Sequence, residues 1–300
     1  MKIDKENEVC CYNDELHRYW IKGNENDKFV SVTTLIGQFH EEFNEEFWSK
    51  YKAFERIVDK EIFSIEKKLL LATKKFNMNL IERYDIDRLE FNKIVNEILD
   101  GYEENRRIAC DRGTKYHSDQ ENKFYKANSH ELPQYGLGGK FECKRSYYTL
   151  DLEKGIYPEF LVYKISKSGF LKLAGQIDLL IKDGNDIYII DYKTNKEIKQ
   201  KSFFDSTTKK GQTMYYPLNN LPDCNYYHYT MQLSTYAWMI QQMNPDFKIK
   251  GLILIHIDHS DKYTVYNLDY RRDEVIRMLT FHQKQNKIKY EKAQNDPIIY

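Results

Sequence analysis

Gly175-Gln-Ile-Asp-Leu-Leu-Ile-Lys-Asp-Gly-Asn-Asp-Ile-Tyr-Ile-Ile-Asp-Tyr-Lys-Thr194 holds two apolar runs around Lys182-Asp183-Gly184-Asn185-Asp186, a strong hairpin turn signal. Each run carries charge that a core strand should not: Asp178 in the first, Asp191 and Lys193 in the second. Side chains alternate along a strand, so Asp191 and Lys193 share one face while Ile190 and Tyr192 take the other. A two-residue turn at Gly184-Asn185 sets Asp178 directly across from Asp191. Cβ atoms so paired lie roughly 5 Å apart, where like charges are destabilising. A divalent cation between them removes the conflict, so the hairpin reads as a metal site with a lysine beside it.

Around this hairpin the chain has 300 residues, 31% charged and 41% hydrophobic, which is globular and not disordered. Formal net charge is zero, so affinity for nucleic acid must rest on a local patch. Five cysteines without CxxC spacing argue for reduced thiols and against a disulfide framework or zinc ribbon. No secretory leader pattern and no membrane-length apolar run is present. The expected location is the cytoplasm, that of the host if the protein is viral.

Upstream, His17–Ile21 and Lys28–Val32 read as short strands about a Gly23-Asn24 turn, with Ser31 or Thr33 capping a following helix. From Glu41 to about Lys126 the period is helical, with Phe43, Phe47, Tyr51 and Phe54 at three- and four-residue intervals and Ile86, Leu89, Ile94 and Leu99 further on. Such stripes read as helix packing. Gly113-Thr114 can start a helix on which His117 and Glu121 share a face. Residues 129–150 read as a loop, and its Gly136-Leu-Gly-Gly139 run lacks the Walker lysine.

Three strands follow from Tyr157 to Lys193, the first started by Glu159. A polar loop then runs to about Asn225, with Lys196, Lys199, Lys201, Lys209 and Lys210 among Phe203, Phe204, Tyr215 and Tyr216. Basic groups interleaved with aromatics suit a nucleic-acid backbone and stacked bases; a solvated surface loop fits the same residues equally. Tyr229–Met243 reads as a helix with Gln232 and Tyr236 one turn apart. Lys250–Asp258 and Tyr263–Leu268 read as a strand pair, and Asp273 to about Lys292 as a closing helix. His256 and His259 fit neither a strand face nor a metal-binding helix and read as structural.

Taken in order, Gly113-x-x-x-His117-x-x-x-Glu121, Gly175-x-x-Asp178, Asp191-x-Lys193-Thr194 and Gln232-x-x-x-Tyr236 resemble the PD-(D/E)XK nuclease superfamily in its RecB-like branch. The resemblance covers about residues 110–240, and Ser31–Ile36 looks like the corresponding region of phage and viral stand-alone exonucleases. It implies an α/β (α+β), restriction-endonuclease-like core: a central mixed sheet flanked by helices. Residues 1–105 would form a β-hairpin and helical region and residues 106–300 the nuclease core, together one compact unit.

The resemblance further implies that His117, Asp178, Asp191 and the Tyr192 carbonyl bind Mg²⁺ or Mn²⁺, and that Asp178, Asp191 and Lys193 are catalytic. Lys193 would act as base or as charge stabiliser. Glu121, Glu159 and Gln176 would support the site. Gln232 and Tyr236 would support the site or contact DNA; Thr194 and, from the basic loop, Lys196, Lys199 and Lys201 are expected to contact DNA. Branch members with an iron–sulfur cluster use cysteines near the C-terminus; none follows Cys224 here, so no cluster is expected. Helicase motifs are absent as well, so a stand-alone nuclease is expected.

These residues suit phosphodiester hydrolysis, since a hard cation held by carboxylates lowers the pKa of bound water and neutralises phosphate charge. The imidazole makes Mn²⁺ a plausible substitute for Mg²⁺. The expected function is a metal-dependent DNA nuclease, an exonuclease or single-strand-directed enzyme of replication, recombination or repair, acting on single strands or duplex ends. The alternatives are a structure-specific or restriction-type endonuclease, and a silent DNA-binding or virion protein.

Overall fold

A computed structural model describes residues 2–145, 152–205 and 210–295; Lys209 of the basic loop lies outside them. Two compact units emerge, Met1–Glu41 with Lys115–Tyr300, and Glu42–Thr114. The N-terminal strands thus group with the sheet-bearing unit, whereas the sequence reading sets its boundary at residues 105 and 106.

In the first unit, β1 (Lys5–Glu6), β2 (Cys10–Asn13), β3 (Arg18–Ile21) and β4 (Asn24–Lys28) form a small sheet in that order. β5 (Val30–Ser31) enters the main sheet. Ser31 then caps α1 (Val32–Gly37), its hydroxyl accepting the Thr34 N–H at 2.9 Å.

The unit Glu42–Thr114 holds α2 (Glu45–Ile57), α3 (Lys60–Thr73), α4 (Asn79–Arg83) and the start of α5 (Arg88–Lys126). Phe47, Tyr51, Phe54, Phe63 and Phe91 fill its core, so the aromatic stripe is packing. Phe43 and Leu89, which the periodicity assigns to the same stripes, are exposed. Gly113-Thr114 starts no helix; both residues lie inside α5.

The expected 129–150 loop contains a short hairpin, β6 (Ser129–Glu131) with β7 (Lys140–Glu142). The central sheet follows, built from β8 (Gly155–Ile165), β9 (Lys172–Asp183) and β10 (Asp186–Lys193). Past the short pair β11 (Phe204–Asp205) and β12 (Lys210–Gly211) come α6 (Asn225–Met243), β13 (Lys248–Ile257), β14 (Tyr263–Asn267) and α7 (Arg272–Asn295).

The sheet is mixed. β9 pairs antiparallel with β8 and β10 and parallel with β5, while β13 runs parallel to β10 and antiparallel to β14. Parallel β10 and β13 need a crossover, and α6 lies within it. Gly184 takes the positive φ of +60° that its turn requires, and β9 and β10 pair in the expected register from Asp183↔Asp186 to Leu179↔Ile190.

The two faces bury different clusters. Ile187 and Ile189 pack with Met231, Leu233, Ala237 and Ile240 of α6 and Val275 of α7. Ile190 and Tyr192 pack with Phe124 of α5 and Ile253 and Ile255 of β13. Among the described residues no helix is long and apolar enough to cross a membrane.

Candidate active site

Three adjacent strands bring three carboxylates side by side. β8 and β9 pair Pro158 with Leu179 and Phe160 with Ile177, and the ladder skips Glu159 and Asp178 between them. Glu159 has a φ of +52°, a left-handed conformation uncommon for a non-glycine residue and concentrated at functional sites. The irregularity shifts the face pattern by one residue: Tyr157 and Phe160 join the same cluster although strict alternation would separate them. Glu159 is therefore mid-strand, not at the strand start that the sequence suggests. On the other side of β9, the ladder with β10 stops at Leu179↔Ile190, and Asp178 Oδ2 accepts the Tyr192 N–H at 2.8 Å.

α5 supplies the imidazole. His117 Nδ1 lies 3.4 Å from Asp178 Oδ2 and 3.7 Å from Glu159 Oε1. Ligand atoms of His117, Glu159 and Asp178 all fall within 4.8 Å of one another. Glu121, one turn along α5, faces the Lys5 ammonium at 3.5 Å. Gln176 Nε2 donates to Glu159 Oε2.

Asp191 lies beside this trio on the α6 side. Its Oδ1 accepts from Gln232 Nε2 at 3.1 Å, and the Lys193 ammonium stands against Oδ2. Oδ2 is buried and makes no well-formed hydrogen bond. The Lys193 ammonium also lies 3.5 Å from the Tyr192 carbonyl and 5.0 Å from the Tyr229 ring centroid.

Burial sets the electrostatics. It lifts Asp178 above the usual carboxylate range against the pull of His117 and Lys193. Burial likewise pushes Asp191 up to about 6, with Lys193 opposing and Asp178 adding to the rise. For His117, burial alone would lower the value, but Asp178 and Glu159 outweigh it and raise it to about 9. Lys193 is raised too, its burial overcome by Asp191 and Asp178, so it keeps its proton at neutral pH.

Carboxylates that resist ionisation, packed together with an imidazole in reach, fit a divalent cation that would neutralise them together. His117 and Asp178 converge as the sequence suggests. Glu159 joins them as a potential ligand rather than a distant support, while Asp191 stands next to the group, held by Lys193 and Gln232.

Gln232 and Tyr236 are buried. Gln232 braces Asp191, and its Nε2 also lies 3.5 Å from the Tyr236 hydroxyl. Tyr236 also fills the space over Gly175, where an added Cβ would come within 2.6 Å of its ring. Thr194 is half-buried at the end of β10, whereas Lys196, Lys199 and Lys201 are exposed. The Lys199 backbone is pinned to α6 by Asn225 Oδ1, which accepts its N–H at 2.7 Å. Sequence reading missed Lys5, whose ammonium reaches Glu121 and Glu159 from β1; it sits in a polar stretch with no pattern to mark it.

A second group, His40, Asp223 and His228, also brings ligand atoms within 4.8 Å. Its imidazoles stack at 4.1 Å with planes 17° apart, so their in-plane lone pairs do not converge on one ion. Asp223 instead accepts from His228 Nε2 at 2.7 Å and from the Glu41 N–H at 3.2 Å. His256 is buried, with Nε2 2.6 Å from the Asn195 carbonyl, a structural role.

A family model described as the PD-(D/E)XK nuclease superfamily matches residues 80–297. No curated protein matches the chain. Among solved structures, SSO0001 is similar with 14% identity and a TM-score of 0.34, over 93% of this chain and 82% of that one. A candidate exonuclease from Eubacterium rectale is similar with 9% identity and a TM-score of 0.33, over 90% and 83%.

Proposed function

The chain belongs to the PD-(D/E)XK nuclease superfamily, and from that premise we propose that it is a Mg²⁺- or Mn²⁺-dependent DNA nuclease of the RecB-like branch. It acts as an exonuclease or single-strand-directed enzyme in replication, recombination or repair. The observation that carries this reading is the convergence of His117, Glu159 and Asp178 within 4.8 Å beside the ion pair of buried Asp191 with Lys193.

His117, Asp178, Asp191 and the Tyr192 carbonyl would hold the cation, with Glu159 beside His117 and Asp178. When bound, the cation supplies an acidified water and Lewis-acid stabilisation of phosphate charge. Asp178 is fixed for its part by the Tyr192 N–H, and Asp191 by Gln232. Lys193 keeps its proton because Asp191 and Asp178 surround it. Its role is to stabilise negative charge building on the phosphate or, once a cation bound at Asp178 and Asp191 weakens their hold on its proton, to act as base. The exposed lysines after Thr194 track the strand's backbone.

Incubating end-labelled linear, closed circular and single-stranded DNA with Mg²⁺ or Mn²⁺ tests the proposal. Loss of label from ends with circles intact supports an exonuclease, and nicking of circles would make it an endonuclease. Binding without any cleavage would overturn the enzymatic reading.

A further inference from the structure

Beside the candidate metal site lies a pocket of about 300 Å³ with a polar lining, walled by β1, the end of α5 and β8. Three cations, Lys5, Lys144 and Arg145, line it together with three carboxylates, Asp4, Glu121 and Glu159. The Lys5 ammonium stands between two carboxylates of the pocket wall, 3.5 Å from Glu121 and 3.7 Å from Glu159. Lys5 offsets part of the negative charge that those two carboxylates would present to an anion entering the pocket. The Arg145 guanidinium lies over the Tyr125 ring, 4.4 Å from its centroid, and has no carboxylate partner among the described residues. A guanidinium stacked by its face keeps its N–H edge free for the paired hydrogen bonds that phosphate oxygens accept. Lys144 is already engaged by Glu142 and Glu153 and adds field more than a free donor.

Glu159 belongs both to this pocket and to the trio with His117 and Asp178. A group held in the pocket is therefore one side chain away from the reaction centre. We propose that the pocket is a phosphate subsite for the nucleic-acid strand being cut, in which Lys5 and Arg145 hold a phosphate next to the scissile one. The proposal rests on the nuclease reading for its ligand class but not for its test.

That test is binding of short single-stranded oligonucleotides in EDTA, where no cleavage occurs, followed by fluorescence anisotropy across a salt series. The ligands carry a 5′-phosphate, a 3′-phosphate or neither, and the proteins are wild type, Lys5→Met, Lys5→Arg and Arg145→Ala. Removing one charge-assisted hydrogen bond to phosphate should weaken binding about tenfold and lower the salt slope by about 0.7. Lys5→Arg should retain most of the affinity, which separates lost charge from a folding defect. Losses confined to one phosphorylated end identify a strand-end subsite, and equal losses on all three ligands identify an internal phosphate; either supports the proposal. Wild-type affinity and salt slope in both Lys5→Met and Arg145→Ala would overturn it. If metal-dependent cleavage fails in the wild type but these binding losses appear, the nuclease reading falls and the subsite stands. If cleavage succeeds and the variants bind normally, the reverse holds.

Discussion

Gln232 on α6 donates from Nε2 to Asp191 Oδ1 at 3.1 Å, and both residues are buried. One helix thereby holds in place a carboxylate that burial would otherwise disfavour in its charged form. Replacing Gln232 with Ala leaves that oxygen without its donor, at a cost of about 1.5–3 kcal/mol for a hydrogen bond to a charged group. Gln232→Ala should lower the melting temperature and the turnover rate, with DNA affinity little changed because the residue is not on the surface. Unchanged stability and turnover would contradict the bracing role.

His117 makes the metal-free protein sensitive to pH. Its pKa in the folded chain is raised from 6.5 to about 9, burial opposing and Asp178 and Glu159 prevailing. A raised value means that the protonated pair stabilises the fold fully below about 6.5 and that the gain is lost as pH rises through about 9. In EDTA, wild type should exceed His117→Gln in thermal stability most at low pH within this window, with the difference shrinking towards its upper end. A difference independent of pH would show that His117 is not paired as described. The same proton must leave before the imidazole can ligate, so Mn²⁺ affinity should climb over this interval.

Gly175 is required by contact rather than by backbone conformation. A Cβ there would lie 2.6 Å from Tyr236 Cε1 and 3.1 Å from its hydroxyl, and Tyr236 is buried with little room to yield. Gly175→Ala should destabilise by about 1–3 kcal/mol, the usual cost of overpacking. Gly138→Ala is the control: no heavy atom lies within 4 Å of its added Cβ, and the change should stay within about 0.5 kcal/mol. Chemical denaturation of the two variants measures this directly. Equal stability would remove the packing explanation for Gly175.

Lys196, Lys199 and Lys201 are exposed on the segment after β10. Neutralising all three should weaken DNA binding and flatten its salt dependence, by about 0.9 in slope for each duplex phosphate that the lysines no longer neutralise. An unchanged slope would return these lysines to a solvated surface.

Much of this was legible in the chain because the hairpin encodes its own register. Gly184-Asn185 sets the turn, and the alternation of Ile190 and Tyr192 against Asp191 and Lys193 sets the faces. His117 was legible only through its spacing from Glu121 and through resemblance, since a lone helical histidine carries no sign of what it will meet. Glu159 lies in the expected strand, but nothing in the local sequence marks its φ of +52° or the skipped ladder position. Lys5 was not legible, because its role depends on β1 folding back beside α5 and β8, a contact remote in sequence. Gln232 and Tyr236 are marked by their spacing together with the family resemblance, neither of which says that α6 buries them.

The most direct measurement is release of nucleotide from labelled DNA by wild type, Asp191→Ala and Lys193→Ala, with Mg²⁺ or Mn²⁺ and again in EDTA. Each substitution breaks the ion pair beside His117, Glu159 and Asp178, so circular dichroism must first show that each variant is folded. Wild type should cleave only with metal, and each folded variant should lose about 10²–10³-fold in rate while still binding DNA. Full activity in either variant, or cleavage that persists in EDTA, would contradict a metal-dependent nuclease centre at these residues.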